Sequence, residues 1–338
     1  MRVPSRVGVA GVTGAVGLEM LAVLEQRSFP TELVRAMASG QREGRTVRFR
    51  GADLPVETLT ARSLDGLDIV LFATGAEVSR EFVPAAASAG AVAIDNSKAF
   101  RMDPAAPLVV PEVNPAAAFE HRGIIANPNC STIQMVLALK PVHDAAVLKR
   151  VVVSTYQSVS GTGLAAIEEL TAQSRAVLSD EPVVRDVYPA QIGFNCFPHI
   201  DDFDAEGNAL EETKMVLETR KIMGLASLPV AATCVRVPVF RSHALALNVE
   251  TEKDLDPAEA RALLASAPGV RVVDDPASAG YPTQAGTAGT DEVWVGRVRR
   301  DPSVPHGLWM WVVADNLRKG AALNAVQIAE LLIGEPRH

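Results

Sequence analysis

The segment from residue 6 to residue 26 constrains the fold more than any other part of the chain. A short apolar run at residues 6–10 is followed by a turn that contains Gly11, Gly14 and Gly17, and then by apolar residues at helical spacing in residues 18–26. This order predicts a strand, a glycine-rich turn and a helix. Glycines at such a turn let a phosphate group approach the N–H groups at the start of the helix. The segment therefore predicts a dinucleotide-binding domain of the Rossmann type.

Predicted strands and helices alternate along the first part of the chain. Strands are predicted at residues 33–38, 69–73 and 91–94, with a helix at residues 79–89. Such alternation is typical of a mostly parallel sheet. Beyond residue 128 the gaps lengthen and β-branched strands mix with helices, which indicates an α+β domain. We therefore predict an α/β protein with a Rossmann-type parallel-sheet domain at residues 1–128, completed by a C-terminal helix at about 316–338, and an α+β domain at residues 129–315.

The end of the second predicted strand indicates which dinucleotide binds. An NAD site usually carries an acidic residue there, which holds the ribose 2′-hydroxyl. This chain has Ser39, Gly40, Gln41 and Arg42 instead. A hydroxyl, an amide and a guanidinium suit a 2′-phosphate, so the cofactor is predicted to be NADP.

Charge and cysteine content exclude several classes of protein. The 32 Lys and Arg residues against 40 Asp and Glu residues leave a net charge of −8, which disfavours nucleic acid and anionic membranes as partners. Three cysteines, Cys130, Cys196 and Cys234, include no C-x-x-C pair, so we expect neither a disulfide framework nor a bound metal. This cysteine usage fits a reducing cytoplasm.

Cys130 stands where a loop becomes a helix, because Pro128 and Asn129 precede it and residues 133–140 have helical apolar spacing. The start of a helix favours the thiolate form, which is the nucleophile. Cys130 is therefore a candidate nucleophile, whereas Cys196 and Cys234 are expected to be packed in the core.

Six segments spread over nearly the whole chain resemble the aspartate-semialdehyde dehydrogenase family, in particular its shorter bacterial branch. They are Gly11 to Gly17, Val109-Val110-Pro111-Glu112-Val113-Asn114, Pro128-Asn129-Cys130-Ser131-Thr132, Val153-Ser154-Thr155-Tyr156-Gln157 with Val159-Ser160-Gly161, Ala232-Thr233-Cys234-Val235-Arg236-Val237-Pro238, and Trp311-Val312-Val313-Ala314-Asp315-Asn316-Leu317. The resemblance implies NADPH-dependent reductive dephosphorylation of 4-phospho-L-aspartate to L-aspartate 4-semialdehyde through a thioester on Cys130. It also implies a place in lysine, diaminopimelate, threonine and methionine biosynthesis, and a homodimer or homotetramer built through the second domain.

The same resemblance implies a role for each matching residue. Catalysis falls to Cys130, to His243 as acid and base, and to Gln157, which orients the substrate. The other implied contacts are Arg236 and Glu211 with Gln157 for the substrate, Arg101, Lys214 and Asn129 for phosphate, and Gly11, Thr13, Gly14, Ala15, Val16, Ser39, Gly40, Gln41, Arg42, Ser160, Gly161 and Asn316 for the cofactor.

Two points in this assignment stay open at the level of sequence. Glu212 adjoins Glu211, so the choice between them is uncertain by one position. On an uninterrupted strand Arg236 and His243, seven residues apart, would face opposite sides, so the site requires a bend near Pro238 or Ser242.

The chain also departs from its relatives and leaves room for other functions. Gln41 stands where many relatives have Arg, so we expect either that Arg42 holds the 2′-phosphate instead or that the 2′-phosphate is bound less tightly. The alternatives are another phosphorylating aldehyde dehydrogenase, such as N-acetyl-glutamyl-phosphate reductase or glyceraldehyde-3-phosphate dehydrogenase, and a catalytically silent dinucleotide-binding scaffold. The Pro-Asn-Cys-Ser-Thr-Ile sequence differs from the cysteine motifs of those enzymes. The joint presence of Cys130, Gln157, Arg236 and His243 argues against a silent scaffold.

Overall fold

The structure is a computed structural model that describes residues 5–40 and 44–334. The chain forms two compact units, one of Met1–Asn129 with Ala321–His338 and one of Cys130–Gly320. The strands are β1 (Ser5–Ala10), β2 (Thr31–Ala38), β3 (Thr46–Phe49), β4 (Ala52–Thr58), β5 (Ile69–Phe72), β6 (Val92–Asp95), β7 (Ile124–Ala126), β8 (Leu148–Gln157), β9 (Val230–Arg236), β10 (His243–Thr251), β11 (Val270–Val272), β12 (Val293–Asp301) and β13 (Gly307–Ala314). The helices are α1 (Ala15–Gln26), α2 (Ala76–Ser88), α3 (Cys130–Ala146), α4 (Leu164–Leu178), α5 (Leu210–Met223), α6 (Pro257–Ser266), α7 (Gln284–Thr287) and α8 (Leu323–Leu332).

The first unit is built on a seven-stranded sheet with the order β3-β4-β2-β1-β5-β6-β7. All neighbouring pairs are parallel except the hairpin of β3 and β4. The predicted parallel sheet is therefore confirmed. The sequence analysis did not predict the hairpin, whose two-residue turn places both Arg50 and Gly51 at positive φ, as the twist of a tight hairpin favours.

Helix α8 completes the core of the first unit from the far end of the chain. Its Val326 and Ala329 are buried in the same cluster as Val7 and Val9 of β1. Arg27, just after α1, donates two hydrogen bonds of 2.9 and 2.6 Å to the Glu330 carboxylate. The predicted C-terminal helix is thus present, although a π-helical turn at Arg318–Ala322 precedes it.

The second unit is built on a six-stranded mixed sheet with the order β11-β12-β13-β10-β8-β9. Pairs β8–β9 and β11–β12 are parallel, and the other three are antiparallel. Helix α3 packs against β8, β10, β12 and β13. The opposite face of the sheet carries half-buried Trp309 and Trp311, which the register places level with Asn248 and Ala246.

Candidate active site

Arg236, Gln157 and His243 lie side by side at one level of the second sheet. Gln157, the last residue of β8, pairs with Arg236 on β9 and with His243 on β10. Paired residues on adjacent strands project to the same face. The predicted bend is present, because β9 ends at Arg236 and the chain reverses through a turn in which Ser242 has φ of 72°.

Cys130 is the first residue of α3 and is half-buried. Gly320, in the π-helical turn, lies directly against it, since a Cβ atom on Gly320 would lie 2.9 Å from the Cys130 Cβ atom. Burial raises the pKa of the Cys234 thiol, which suits its predicted place in the core. The same prediction for Cys196 is wrong. That residue is exposed in an irregular loop, where its backbone N–H donates to the Asn195 side chain.

His243 is completely buried, and its two ring nitrogens have different surroundings. Nδ1 lies 3.0 Å from the backbone N–H of Ser158 and 3.0 Å from the Ser158 hydroxyl. Nε2 has no hydrogen-bond partner in the part of the chain that the structure describes. Burial, together with the nearby positive charge of Arg236, lowers the pKa of His243 to about 3. The ring is therefore neutral at neutral pH.

Arg236 is a buried cation that makes no ion pair with any carboxylate in the part of the chain described. One guanidinium nitrogen donates to the Ser158 carbonyl oxygen at 2.6 Å, while Nε has no partner. The guanidinium lies 5.7 Å from the centroid of the Tyr188 ring, within the range of a cation–π contact. A buried positive charge costs several kcal/mol without a counter-charge, so this arrangement favours an anionic ligand.

Glu211 connects the sheet to a second cation. Its carboxylate accepts hydrogen bonds from the Gln157 amide at 3.1 Å and from Lys214 at 3.2 Å. Burial lowers the pKa of the Lys214 ammonium, but the carboxylates of Glu211 and Asp201 outweigh this effect and leave the pKa raised. Glu212 instead accepts the backbone N–H groups of Ala209 and Cys234, both at 2.9 Å. Its carboxylate caps the helix, which favours Glu211 as the site residue.

Arg101 and Asn129 belong to the first unit, and both are buried. Arg101 donates to the carbonyl oxygens of Asn127 at 3.0 Å and Asn96 at 2.7 Å. These carbonyls follow β7 and β6, so Arg101 is anchored at the carboxyl ends of parallel strands, where ligands of α/β sheets bind. The contact of Arg101 and Asn129 with phosphate remains a prediction.

The glycine-rich turn fits the pyrophosphate of a dinucleotide. Gly11 has φ of 84°, and a Cβ atom there would lie 2.4 Å from the Ala73 carbonyl oxygen. A Cβ atom on Gly17 would lie 2.3 Å from the Gly11 carbonyl oxygen. Gly14 begins α1 with no side-chain cap, and the first turn consists of the predicted residues Ala15 and Val16 followed by Gly17. The start of the helix therefore offers backbone donors to an anion.

The remaining predicted cofactor residues fall into two groups. Thr13 is half-buried in the same turn, and Ser39 and Gly40 are exposed just after β2. Gln41 and Arg42 lie outside the described residues. In the second unit Ser160 and Asn316 are buried and hydrogen-bonded to each other at 2.9 Å. Gly161 lies against His243, since a Cβ atom on it would lie 3.3 Å from Nε2.

Three residues near this site were not predicted: Ser158, Tyr188 and Gly320. Ser158 acts partly through its backbone N–H, which every residue type except proline provides, so no sequence signal exists for it. Tyr188 contacts Arg236 from an irregular loop. Glu169 holds this loop in place, because its carboxylate accepts hydrogen bonds from the backbone N–H groups of Asp186 and Val187. Gly320 stands four residues after Asn316, a predicted cofactor residue, and this short distance along the chain was the sequence signal that could have placed Gly320 near the site.

Over residues 5–40 and 44–334, no group of three or more His, Cys, Asp or Glu side chains is arranged to hold a metal ion. Over the same stretch, no helix has the length and apolar character that crossing a membrane requires.

Two family models match the chain. The model described as "Semialdehyde dehydrogenase, NAD binding domain" matches residues 6–121, and "Semialdehyde dehydrogenase, dimerisation domain" matches residues 139–319. Among curated relatives, the aspartate-semialdehyde dehydrogenase of Aquifex aeolicus is 52% identical, with 98% of each chain covered. That of Legionella pneumophila is also 52% identical, with 96% of this chain and 95% of the relative covered.

Solved structures agree with the sequence relatives. Aspartate semialdehyde dehydrogenase II from Vibrio cholerae has a TM-score of 0.94 at 48% identity, covering 98% of this chain and 99% of the other. The same enzyme described as complexed with ASA has a TM-score of 0.94 at 48% identity, with 98% of both chains covered.

Proposed function

This chain belongs to the aspartate-semialdehyde dehydrogenase family, and we propose that it catalyses the NADPH-dependent reductive dephosphorylation of 4-phospho-L-aspartate to L-aspartate 4-semialdehyde. The reaction is reversible and consumes phosphate in the oxidative direction. An activity of this type makes the protein an oxidoreductase of amino-acid biosynthesis, serving lysine, threonine and methionine.

The observation that carries this proposal is the buried guanidinium of Arg236 beside Gln157 and His243. Among the described residues, Arg236 has an unpartnered Nε donor and no carboxylate to balance its charge. The α-carboxylate of an aspartyl substrate supplies that charge, and a planar guanidinium binds a carboxylate through two hydrogen bonds. Gln157, at the same level of the sheet, is then in place to orient the reacting carbonyl group.

Glu211 distinguishes this substrate from that of an N-acetyl-glutamyl-phosphate reductase. The Glu211 carboxylate is buried and lies against Gln157. A free α-ammonium group gains a charge-assisted hydrogen bond from a carboxylate in such a place, whereas an acetylated nitrogen carries no positive charge. The geometry therefore favours an aspartyl substrate with a free amino group.

Cys130 supplies the nucleophile. Its place at the start of α3 favours the thiolate form, which attacks the carbonyl carbon of the acyl phosphate and forms a thioester as phosphate leaves. When bound, NADPH supplies the hydride that reduces this thioester. We assign phosphate binding to Arg101, Asn129 and Lys214, whose cationic and amide groups suit a dianion.

We assign the dinucleotide to the turn at Gly11–Gly17, with Thr13, Gly14, Ala15 and Val16 nearest the pyrophosphate. Support comes from the glycine contacts and from the match to an NAD-binding domain model. Ser39 and Gly40, which follow β2, bring no acidic side chain to the ribose 2′ position, and this favours NADP. Ser160, Gly161 and Asn316 are assigned to the nicotinamide side of the cofactor.

We further propose that two copies associate through the exposed face of the second sheet. A cavity of about 540 Å³ opens on this face, lined by Ala246, Tyr281, Pro282, Thr283, Gln284, Arg297, Arg299, Trp309, Met310 and Trp311. The surrounding segment matches the dimerisation-domain model. Burial of this aromatic surface stabilises a homodimer, which is also the building block of a tetramer. The three cysteines form no disulfide in the described structure, and this supports a location in the reducing cytoplasm.

The reaction is tested with purified protein, L-aspartate 4-semialdehyde, phosphate and NADP⁺. We expect NADPH absorbance to grow only when all three are present, and to grow more slowly with NAD⁺. N-Acetyl-glutamate semialdehyde and glyceraldehyde 3-phosphate serve as control substrates. Absence of phosphate-dependent reduction of either nucleotide would remove the proposed function, and a faster reaction with a control substrate would reassign it.

A further inference from the structure

The aromatic ring of Tyr188 lies against the guanidinium group of Arg236. The guanidinium carbon is 5.7 Å from the ring centroid. Tyr188 is buried, and its hydroxyl donates to Thr162 Oγ1 at 2.9 Å, which fixes the far end of the ring. An aromatic face attracts a cation, and it does so most strongly where water is excluded. The ring therefore holds the guanidinium in place.

This contact leaves one edge of the guanidinium available to a ligand. Nη1 of Arg236 donates to the Ser158 carbonyl oxygen at 2.6 Å. Among the described residues, the buried Nε has no partner and Nη2 donates to none. The N–H bond of Nε and one N–H bond of Nη2 are parallel, and together they match the two oxygens of a carboxylate. The Tyr188 ring stabilises the charge without supplying an acceptor oxygen to this edge.

The Tyr188 phenol does not serve as a counter-charge. Burial raises its pKa above the ordinary value of 10.0, and the positive charge of Arg236 opposes only part of this effect. The phenol is therefore neutral at neutral pH. A carboxylate in the same place would neutralise the buried guanidinium and compete with a ligand, whereas a neutral ring leaves the charge in need of an anion.

The segment that carries Tyr188 also holds the backbone of Arg236. The backbone N–H of Phe197 donates to the Arg236 carbonyl oxygen at 3.1 Å, and the Arg236 N–H donates to the Phe197 carbonyl oxygen at 2.9 Å. The Phe197 ring meets the Tyr188 ring edge-on, with 5.6 Å between the centroids. Residues 188–197 therefore contact Arg236 at its backbone and at its guanidinium.

Two buried side chains one turn apart on α4 fix this segment, which has little regular secondary structure. Glu169 accepts the three successive backbone N–H groups of residues 186–188, at 2.7, 2.5 and 3.3 Å. Gln173 accepts those of residues 192 and 193, at 2.7 and 3.0 Å. Side chains of the helix thus satisfy backbone donors that would otherwise need a neighbouring strand. The position of Tyr188 is therefore set by α4.

We propose that Tyr188 positions the Arg236 guanidinium to bind a substrate carboxylate, and that Glu169 sets the place of Tyr188 through the backbone of the loop. Tyr188 and Glu169 are then positioning residues. This inference rests on the proposed function, because it takes the α-carboxylate of an aspartyl substrate as the ligand of Arg236. It makes the affinity for that carboxylate depend on a helix and a loop outside the sheet.

Steady-state kinetics of full-length Tyr188→Leu tests the proposal, with L-aspartate 4-semialdehyde, phosphate and NADP⁺ varied in turn. Leucine removes the aromatic face, so we expect KM for the semialdehyde to rise about 5- to 30-fold. The KM for NADP⁺ and kcat should stay within about twofold. Tyr188→Phe keeps the ring and should recover most of the loss. An unchanged KM, or equal losses for all three substrates, would overturn the proposal.

A substrate without the α-carboxylate separates positioning from general disruption. 3-Aminopropanal has the same aldehyde and amino groups as L-aspartate 4-semialdehyde but lacks the carboxylate. We expect the unmodified protein and Tyr188→Leu to oxidise it equally slowly. A further loss with 3-aminopropanal in Tyr188→Leu would overturn the proposal, because the ring would then act on more than the carboxylate.

Glu169→Gln tests the anchor of the loop and decides alone if Tyr188→Leu does not fold. An uncharged amide accepts hydrogen bonds more weakly than a carboxylate, so KM for the semialdehyde should rise about three- to tenfold. Glu168→Gln is the matched control, since Glu168 is the neighbouring residue of α4 and is exposed, and it should change nothing. Equal kinetics for the two variants would overturn the proposal.

The contact itself is tested without turnover. Urea unfolding of Tyr188→Leu, Arg236→Met and the double variant measures the coupling of the two side chains, which we expect to be about 3- to 30-fold in the unfolding equilibrium constant. Independent effects would overturn the proposal. Coupling in a protein that does not oxidise L-aspartate 4-semialdehyde would reject the proposed function and leave the contact between Tyr188 and Arg236 established.

Discussion

Arg236 and His243 flank Gln157 at a single level of the second sheet, although six residues separate them along the chain. Strand β8 lies between β9 and β10, and the reversal at residues 237–242 brings both side chains to the face that Gln157 shares. A one-residue slip in either pairing would turn one of them to the opposite face. The register of this sheet therefore fixes the composition of the site.

Cys130→Ala is expected to reduce kcat more than about 10⁴-fold, because no other group replaces the thiolate. NADP binding, followed by fluorescence titration, should persist. Cys196→Ser is the matched control, since Cys196 is exposed and outside the site, and it should retain full activity. Residual turnover in the Cys130 variant would mean that the nucleophile lies elsewhere.

Arg236→Lys should lower kcat/KM about 100-fold, mainly through KM, because an ammonium group lacks the paired geometry that a carboxylate uses. Steady-state kinetics with varied L-aspartate 4-semialdehyde measures this effect. Arg175→Lys changes an exposed arginine at the end of α4 and should leave both constants unchanged. An unaltered KM in the Arg236 variant would refute its contact with the substrate carboxylate.

Gly320→Ala introduces a methyl group 2.9 Å from the Cys130 Cβ atom. The crowding should destabilise the protein by about 1 to 3 kcal/mol and displace the thiol. Urea unfolding measures the first effect, and the rate of Cys130 alkylation by iodoacetamide measures the second. If the variant folds and shows the alkylation rate and turnover of the wild-type protein, this close contact has no influence on the nucleophile.

Acid should destabilise the protein through His243. Its folded-state pKa of about 3 lies below the unfolded value of 6.5, so between these values the unfolded chain binds the extra proton. The contribution of His243 to the free energy of unfolding is therefore complete above about pH 6.5. Below that pH, this contribution falls by about 1.4 kcal/mol per pH unit. Urea unfolding at neutral and acidic pH should show a smaller decline for His243→Asn. Equal declines would contradict a buried neutral ring.

Trp309→Glu should convert the proposed dimer to a monomer, because it places a charge in the aromatic cavity of the second sheet. Light scattering coupled to size exclusion measures the mass. Phe119→Glu is the control, since Phe119 is 64% exposed and belongs to the first unit. A Trp309 variant that keeps the mass of the unmodified protein would place the interface elsewhere.

Local patterns in the sequence predicted the strand, turn and helix that open the first unit and the helix that begins at Cys130. The strand, turn and helix around Gly11 occur as predicted, and Cys130 begins a helix because polar loop residues precede an apolar helical run. Strand β13 and the β3–β4 hairpin were not predicted. Their residues lack a clear local period, and their place depends on neighbours distant in sequence.

The error at Cys196 and the overlooked role of Ser158 have a common physical origin. Cysteine is usually buried, but whether a particular one is buried depends on how its loop lies on the fold. Ser158 contacts His243 because two strands end at the same level, and its main donor is a backbone group. Neither property is encoded by residue type or spacing.

The first unit is assembled from both ends of the chain, and this determines when it can be finished during synthesis. Residues Val326 and Ala329 of α8 fill its core, and Glu330 holds Arg27. A ribosome must therefore extrude the chain through α8 before the nucleotide-binding unit acquires its last helix. The continuous unit Cys130–Gly320 emerges complete before that moment, so the usual order, in which the amino-terminal part matures first, is reversed.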